Sequence, residues 1–244
     1  MSLWTSGPAL WFGFGLDEAP VKKWTTVDQA LTPGGMTISL HEHDGSYAIR
    51  ADGIPLMSTR QHASEEKLAE LACAHLRGVR HARVLIGGLG FGFTLRAALA
   101  ALGGDATVVM AEILGAVIAW NRNPALPLAA DCLADPRVTV VQRDVAEVIR
   151  EARASFDSII LDVDNGPAAL STPGNGRLYD STGLHHARAA LRPVGCAAFW
   201  SVAPDPAFER LMTQAGFRVE VQRCRSHVSS GRWHTLFLGR RIGP

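Results

Sequence analysis

The stretch from residue 84 to residue 112 restricts the fold of this chain more than any other. An apolar run from Val84 leads into a loop with glycine at every second position, Gly88, Gly90 and Gly92, and a helical pattern follows. A second apolar run then ends at Glu112. In α/β domains, such glycines let the backbone approach a ligand closely, and an acid at the tip of the next strand accepts hydrogen bonds from ribose hydroxyls. This order of elements predicts a nucleoside-binding α/β domain.

The spacing of the glycines indicates which nucleoside is favoured. A dinucleotide-binding loop needs a third glycine three residues after the second, and counting from Gly88 and Gly90 that position is Phe93, which is too large. No Gly-Lys-Ser/Thr sequence follows, so a P-loop is not indicated. The loop suits an adenosyl ligand without a pyrophosphate, and S-adenosylmethionine or its decarboxylated form is the natural candidate. The alternatives are a strand-to-helix turn without a ligand and, more remotely, an NAD oxidoreductase.

Composition and charge narrow the class of protein. A formal net charge of +1 provides no basic surface for nucleic acid. No C-x-x-C spacing occurs, and His41 and His43 lack a third ligand, so we expect neither a disulfide framework nor a metal site. No apolar run reaches the ~18 residues of a membrane span, and no signal-peptide pattern is present. We therefore expect a cytoplasmic protein without membrane contact.

The first part of the chain, residues 1–62, reads as a small N-terminal β-hairpin region. Two alternating runs surround Asp44-Gly45, which is a hairpin signal, and Asp52-Gly53 marks a second turn. Helical spacing then begins, with Ser64 as the expected N-cap.

The second part, residues 63–244, alternates strand and helix patterns and predicts a Rossmann-like α/β domain. Only residues 225–232 separate the last two strands, which is too short for a crossover helix, so the last strand should run antiparallel. The expected fold is a seven-stranded, mostly parallel sheet with an antiparallel last strand, which is the class I S-adenosylmethionine-dependent transferase fold. The predicted strands are 83–87, 106–112, 137–142, 157–162, 195–202, 217–223 and 233–239.

Four acids are predicted at the carboxyl ends of the strands, where doubly wound sheets bind ligands. We expect Glu112 to contact the ribose. Asp144 either caps a helix, with Glu147 as its capping-box partner, or contacts the adenine amino group, or does both. Asp162 follows a buried strand and is the expected working carboxylate, whereas Asp164 is either a second one or part of a turn.

These residue types suit alkyl transfer from a sulfonium donor. The activated carbon of a sulfonium can be attacked by an amine in one in-line displacement, so the protein must hold the nucleophile about 3 Å away and on line. It must also remove an amine proton, which a carboxylate can do if burial raises its pKa or a water relays the proton. Carboxylates near the sulfonium also favour a cationic amine as acceptor.

Three segments resemble the spermidine synthase family of aminopropyltransferases. The family's glycine motif is similar to Val84-Leu-Ile-Gly-Gly-Leu-Gly-Phe-Gly-Phe-Thr-Leu-Arg96. Its Glu-Ile-Asp segment is similar to Ala111-Glu-Ile-Leu-Gly-Ala-Val-Ile118. The strand that bears its catalytic aspartate is similar to Phe156-Asp-Ser-Ile-Ile-Leu-Asp162. The resemblance implies Glu112 on the ribose, Asp144 near the adenine and Asp162 as the carboxylate that deprotonates the amine. It also implies a homodimer.

The chain departs from the family's pattern on the donor side, where Phe91 and Leu114 remove acids, and around the acceptor. Phe91 stands where the family has an aspartate, and Glu-Ile-Asp has become Glu112-Ile-Leu114. The family's Tyr-His-Glu over the diamine site corresponds to about Ser64-Glu-Glu66. We therefore expect nucleoside binding to be retained and the diamine pocket to be rebuilt. The candidates for its anionic partner are Glu65, Glu66 and Asp180.

The leading hypothesis is aminopropyl transfer from decarboxylated S-adenosylmethionine to a small amine. S-adenosylmethionine-dependent methyl transfer is the close alternative, and a non-catalytic module that binds an adenosyl ligand is the alternative from another class. The predicted catalytic residues are Asp162 and Asp164, and the predicted binding residues are Gly88, Gly90, Gly92, Glu112 and Asp144.

Overall fold

The computed structural model describes residues 23–32, 34–163, 166, 176–227 and 230–243. These residues form a four-stranded antiparallel sheet and, after it, a seven-stranded sheet with helices packed on both faces.

The N-terminal sheet is a meander whose strands follow one another in sequence order. Both residues of each two-residue turn have positive φ, 50° and 72° at Asp44-Gly45 and 46° and 81° at Asp52-Gly53. This is the twist that a two-residue hairpin requires, so the predicted hairpin and second turn are confirmed. The strands are β1 Thr25–Leu31, β2 Thr37–His43, β3 Ser46–Ala51 and β4 Ile54–Ser58.

The larger sheet has the strand order β10-β11-β9-β8-β5-β6-β7. Its strands are β5 Arg83–Gly87, β6 Thr107–Ala111, β7 Val138–Val141, β8 Phe156–Leu161, β9 Leu191–Ser201, β10 Phe217–Arg225 and β11 Trp233–Arg241. β11 pairs antiparallel with both of its neighbours, whereas the pairs from β9 to β7 are parallel. The short connection before β11 leaves no room for a crossover helix, which explains the reversal. The predicted fold class is confirmed.

Helices cover both faces of this sheet. They are α1 Ala63–Cys73, α2 Phe93–Ala101, α3 Gly115–Arg122, α4 Ala130–Leu133, α5 Val145–Glu151, α6 Gly176–Tyr179, α7 Ser181–Ala190 and α8 Pro206–Gln214. Within the described ranges, no helix is both long enough and apolar enough to cross a lipid bilayer.

The prediction that Ser64 caps α1 is wrong. His62 occupies the N-cap position, without a side-chain capping bond, and Ser64 lies inside the first turn. The Ser64 side chain is fully buried, and its hydroxyl lies 3.1 Å from Trp200 Nε1 and 2.9 Å from His234 Nδ1. Because these interior partners engage the hydroxyl, it is directed away from the helix terminus.

The N-terminal sheet is packed against the part of the large sheet that carries the glycine loop. Leu40 and Ile49 belong to the same hydrophobic cluster as Leu68 of α1 and Leu95 of α2. Burying one such side chain contributes about 2 kcal/mol. The two sheets therefore share a core, and the predicted boundary after residue 62 lies where α1 begins.

Candidate functional site

The glycine loop, residues 88–92, joins β5 to α2 and lies between the ends of β6 and β8. Gly88 N–H donates to the carbonyl of Ala111, 3.0 Å away. Gly88 has φ +88°, and a Cβ there would lie 2.2 Å from the carbonyl oxygen of Asp162. The backbone conformation and the close approach both require glycine. The loop is therefore pressed against the strand end that carries Asp162.

Glu112 lies directly after β6, as predicted, and its carboxylate is tied to the backbone of the loop. One oxygen accepts from Leu89 N–H at 2.9 Å and the other from Leu114 N–H at 2.8 Å. Burial raises the pKa of Glu112, and these hydrogen bonds act in the opposite direction. Because each carboxylate oxygen has a second lone pair, Glu112 can still accept a hydrogen bond from a hydroxyl group of a ligand.

Asn121 is a further residue at the loop that the sequence reasoning missed. Its Nδ2 donates to the carbonyls of Gly90, 2.8 Å away, and Val117, 2.9 Å away. The Asn121 side chain is buried, so it ties α3 to the middle of the loop from inside the protein. The available sequence signal was a polar residue on the buried face of a short helix, and this signal does not specify a partner.

Asp162 lies at the end of β8, as predicted, and is held from two sides. Its N–H donates to the carbonyl of Gly87 at 3.0 Å, and its carboxylate accepts from the hydroxyl of Thr94 at 2.6 Å. Burial raises the pKa of Asp162 to about 6, and the hydrogen bond from Thr94 opposes this rise. A carboxyl group in this range exchanges its proton near neutral pH.

Glu65, in the first turn of α1, is a second carboxyl group, and its charge interacts with that of Asp162. Burial and the nearby negative charge of Asp162 raise the pKa of Glu65 to about 8, and a hydrogen bond from Ser64 opposes the rise. Ser64 Oγ donates to Glu65 Oε2 at 2.6 Å. We call Glu65 and Asp162 the acid pair.

A ring contact fixes the first turn of α1 over the first turn of α2. The ring of His62 stacks on the ring of Phe93, with centroids 4.0 Å apart and planes 12° apart. His62 Nδ1 also lies 3.0 Å from a carboxylate oxygen of Glu66. Phe93, which stands where a dinucleotide-binding loop has glycine, therefore helps to bring α1 and its Glu65 to the site.

Asp144 caps α5, which confirms one of its two predicted roles. Its carboxylate accepts from Ala146 N–H at 2.7 Å. It also forms an ion pair with Arg177 of α6. Glu147, the expected capping-box partner, instead lies 3.8 Å from Arg143. The contact of Asp144 with an adenine amino group stays a prediction.

The other acids that the sequence predicted for the site have different surroundings from one another. Asp164 lies outside the described residues. Asp180 caps α7 by accepting from Gly183 N–H at 2.7 Å, and Glu66 pairs with His62. Of the three candidates for an anionic partner, Glu65 is therefore the one that interacts with Asp162.

Phe91 packs in the hydrophobic core, and His41 of the N-terminal sheet contacts a neighbouring side chain of its own strand. Phe91 is buried in the same cluster as Leu89 and Leu95, so this position, an aspartate in the family's pattern, faces the core. His41 lies 2.9 Å from the hydroxyl of Ser39. Among the residues that the structure describes, no group of three His, Cys, Asp or Glu side chains could hold a metal ion.

The solved structures that are similar to this chain include three spermidine synthases or probable spermidine synthases. The spermidine synthase of Thermotoga maritima is 20% identical with a TM-score of 0.69, and the match covers 89% of this chain and 72% of that one. A spermidine synthase in complex with the transition-state analogue AdoDATO is 19% identical with a TM-score of 0.68 over the same shares. A probable spermidine synthase from Corynebacterium glutamicum is 18% identical with a TM-score of 0.60, over 90% of this chain and 80% of that one.

Sequence comparison finds no matching family model and no matching curated protein. The similarity is carried by the architecture, which combines an antiparallel N-terminal sheet with a seven-stranded sheet whose last strand is reversed. This chain has a spermidine synthase-like fold.

Proposed function

We propose that this protein is an aminopropyltransferase that moves the aminopropyl group of decarboxylated S-adenosylmethionine to a small amine. The observation that carries the proposal is the position of the Asp162 carboxyl group, which ends β8 beside the glycine loop and accepts a hydrogen bond from Thr94. Its pKa of about 6 leaves it ionised but still basic at neutral pH. Those are the properties that general-base catalysis requires.

The adenosyl group of the donor would lie along the glycine loop. The ribose hydroxyls would donate to the free lone pairs of Glu112, whose carboxylate is already oriented by two backbone N–H groups. The adenine amino group would donate to Asp144, which keeps its capping bond to Ala146. The donor is a substrate, and the proposed chemistry requires no metal.

Transfer requires the acceptor as a free amine. Asp162 takes one proton from the acceptor's ammonium group, which leaves a lone pair on nitrogen. That lone pair attacks the carbon next to the sulfonium sulfur, and the new C–N bond forms as the C–S bond breaks. The electron pair of the broken bond stays on sulfur as a neutral thioether, and the product is a secondary ammonium. A base held by Thr94 beside the bound donor gains the rate advantage of proximity.

The charges at the acid pair favour the decarboxylated donor over S-adenosylmethionine. The charged groups that act most strongly on Glu65 are Asp162 and Glu66, and both are acids. The carboxylate of S-adenosylmethionine would approach these like charges, which costs free energy, whereas the decarboxylated donor brings only cationic groups. The small-molecule partner that fits this site is therefore an amine.

Calorimetric titration with each donor, followed by mass spectrometry after incubation with 1,4-diaminobutane, tests the proposal. Aminopropyl transfer yields methylthioadenosine and an aminopropylated diamine, whereas methyl transfer yields S-adenosylhomocysteine. Tighter binding of the decarboxylated donor with formation of methylthioadenosine supports the proposal. Tighter binding of S-adenosylmethionine with S-adenosylhomocysteine as product would assign a methyltransferase. Binding without product from any of a panel of amines would favour the non-catalytic module, and binding of neither donor would reject the nucleoside site.

A further inference from the structure

The two sheets formed by the described residues have four edge strands, β1, β4, β7 and β10, and three of these are poorly suited to pairing with another chain. The pairing of β1 has a shift of register between Thr26 and Asp28, β4 contains Pro55, and β7 is only four residues long. Bulges, prolines and short lengths are features by which natural edge strands avoid pairing with another chain.

The fourth edge strand, β10, is long and regular. It has nine residues, and over all of them it pairs with β11 without a shift of register. Its sequence, Phe-Arg-Val-Glu-Val-Gln-Arg-Cys-Arg, contains neither proline nor lysine. In an antiparallel strand, the N–H and C=O groups of every second residue point to the same side, so β10 directs a row of them away from β11. Water or another strand must satisfy that row.

The polar side chains of β10 form contacts within its own sheet. The guanidinium carbons of Arg223 and Arg225 lie 5.1 Å and 4.4 Å from the ring centroid of Trp233 on β11. On the opposite face of the strand, Gln222 Nε2 donates to Glu220 Oε1 at 2.6 Å. Because Trp233 draws the two arginines toward β11, their charges do not guard the outer side of β10.

We propose that β10 is the interface at which two copies of this chain pair about a twofold axis, so that the large sheet continues from one copy into the other. The two β10 strands run antiparallel, with Val221 at the axis opposite the Val221 of the second copy. The Val221 side chain is 38% exposed, so it is accessible for this contact. The inference concerns assembly and does not depend on the proposed function.

The sequence of β10 complements itself in this register. Val221 is the central residue of the strand, so an axis at Val221 pairs all nine residues and any other axis pairs fewer. Glu220 then lies opposite Gln222, which can donate to it. Val219 lies opposite Arg223, and no two like charges face each other. An axis at Glu220 or at Arg223 would instead place that charge opposite its own copy.

The end of β10 is also connected to the helix that carries Glu65. Ala63 N–H, at the start of α1, donates to the carbonyl of Ser226, directly after β10, at 3.1 Å. Cys224 Sγ lies 3.9 Å from the carbonyl oxygen of Ala63. Pairing at β10 therefore restrains the strand end to which the first turn of α1 is bonded.

Sedimentation equilibrium of the intact protein tests the interface. The wild type should have twice the mass of one chain. Val221→Lys places two positive charges at the axis, so its association constant should fall by at least about tenfold. Val27→Lys is the matched control, because Val27 lies on the edge strand β1 and is 43% exposed. It should remain as dimeric as the wild type.

Val221→Cys tests the register and does not rely on the folding of the lysine variant. Directly opposite residues of an antiparallel pair have Cα atoms about 4.5–5.5 Å apart, which a disulfide can span. Mild oxidation should therefore link two Val221→Cys chains, as seen on a non-reducing gel, and should link neither the wild type nor Val27→Cys.

Three results would overturn the inference: a monomeric wild type, a Val221→Lys protein that associates as the wild type does, or a dimeric Val221→Cys protein that does not become linked. Linkage of Val27→Cys in place of Val221→Cys would assign the interface to β1. Donor binding and turnover are measured separately, so the proposed function stands or fails independently of these results.

Discussion

The glycine loop and the acid pair meet at the end of β8, yet they are built in different ways. The loop is held largely by backbone groups within one stretch of chain: Gly88 N–H bonds to Ala111, and Glu112 accepts from two backbone N–H groups. The acid pair joins side chains from separate elements. Glu65 comes from α1 and Asp162 from β8, and Thr94 of α2 bonds to the second of these.

Because of this difference, the glycine loop and the acid pair tolerate amino-acid substitutions to different degrees. A loop held by its own backbone tolerates few substitutions, because any Cβ at Gly88 meets neighbouring backbone. A cluster of side chains can be altered residue by residue while the fold is kept. We infer that donor recognition is the conservative part of this site and that acceptor recognition is the part that can vary.

The largest expected effect is on turnover. Asp162→Asn removes the base but keeps an oxygen that can accept from Thr94, so kcat should fall by about 10²–10⁴-fold while donor affinity stays within a few-fold. Steady-state kinetics and calorimetry measure the two quantities. A fully active Asp162→Asn protein would exclude Asp162 as the base, and equal losses in binding and turnover would erase the contrast between the two parts of the site.

The next effect is on stability. Gly88→Ala forces an L side chain into a φ of +88° and against the Asp162 carbonyl, so unfolding should become easier by about 2–4 kcal/mol. The melting temperature should then fall by roughly 5–12 °C, and donor binding should be lost. Gly104→Ala is the matched control, because a Cβ there meets nothing within 4 Å. Similar melting temperatures for the two variants would show that the loop is not held as described.

Donor affinity should respond to Glu112 more modestly. Glu112→Ala removes a charged acceptor for the ribose hydroxyls, which should weaken donor binding by about 1–3 kcal/mol. Calorimetry below the melting temperature of the variant measures this, with Glu209→Ala, an exposed acid in the first turn of α8, as the control. Unchanged affinity in Glu112→Ala would reject the ribose role.

The smallest expected effect is a pH-dependent change in stability at the acid pair. The folded protein raises the pKa of Glu65 from 4.5 to about 8, so the fold holds the Glu65 proton more tightly than the unfolded chain does. That stabilisation is complete below about pH 4.5 and is lost as the pH rises through 8. Glu65→Gln has no proton to lose, so its melting temperature should exceed that of the wild type by about 2–6 °C at pH 9 and match it more closely at pH 5.

Thermal unfolding of the ligand-free proteins at the two pH values measures this difference. A constant offset between wild type and Glu65→Gln would mean that Glu65 titrates at its ordinary pKa. In that case the acid pair could not be distinguished from the glycine loop by the interaction of its charges.

Sequence reasoning predicted the loop better than the acid pair. The order of strand, glycines, helix and acid is local, so Gly88, Gly92 and Glu112 were assigned to strand ends from periodicity and spacing. Ser64 was misassigned as a helix cap because a serine before a helical run is usually one, whereas here Trp200 and His234 engage it from distant strands. Asn121 carried no signal that could identify Gly90 as its partner.

By itself the sequence determined the alternation of strands and helices, the two hairpin turns, the reversed last strand and the position of the carboxylates at strand ends. These features follow from short-range physics: the period of apolar residues, the positive φ that a turn demands and the length of a connection. Only the tertiary structure decided that the charge of Asp162 acts on Glu65, that Ser64 bonds to Glu65 and that Phe93 stacks on His62. The interaction energy of two charges depends on the distance between them and on how far each is removed from water, and both are set when separate elements pack together.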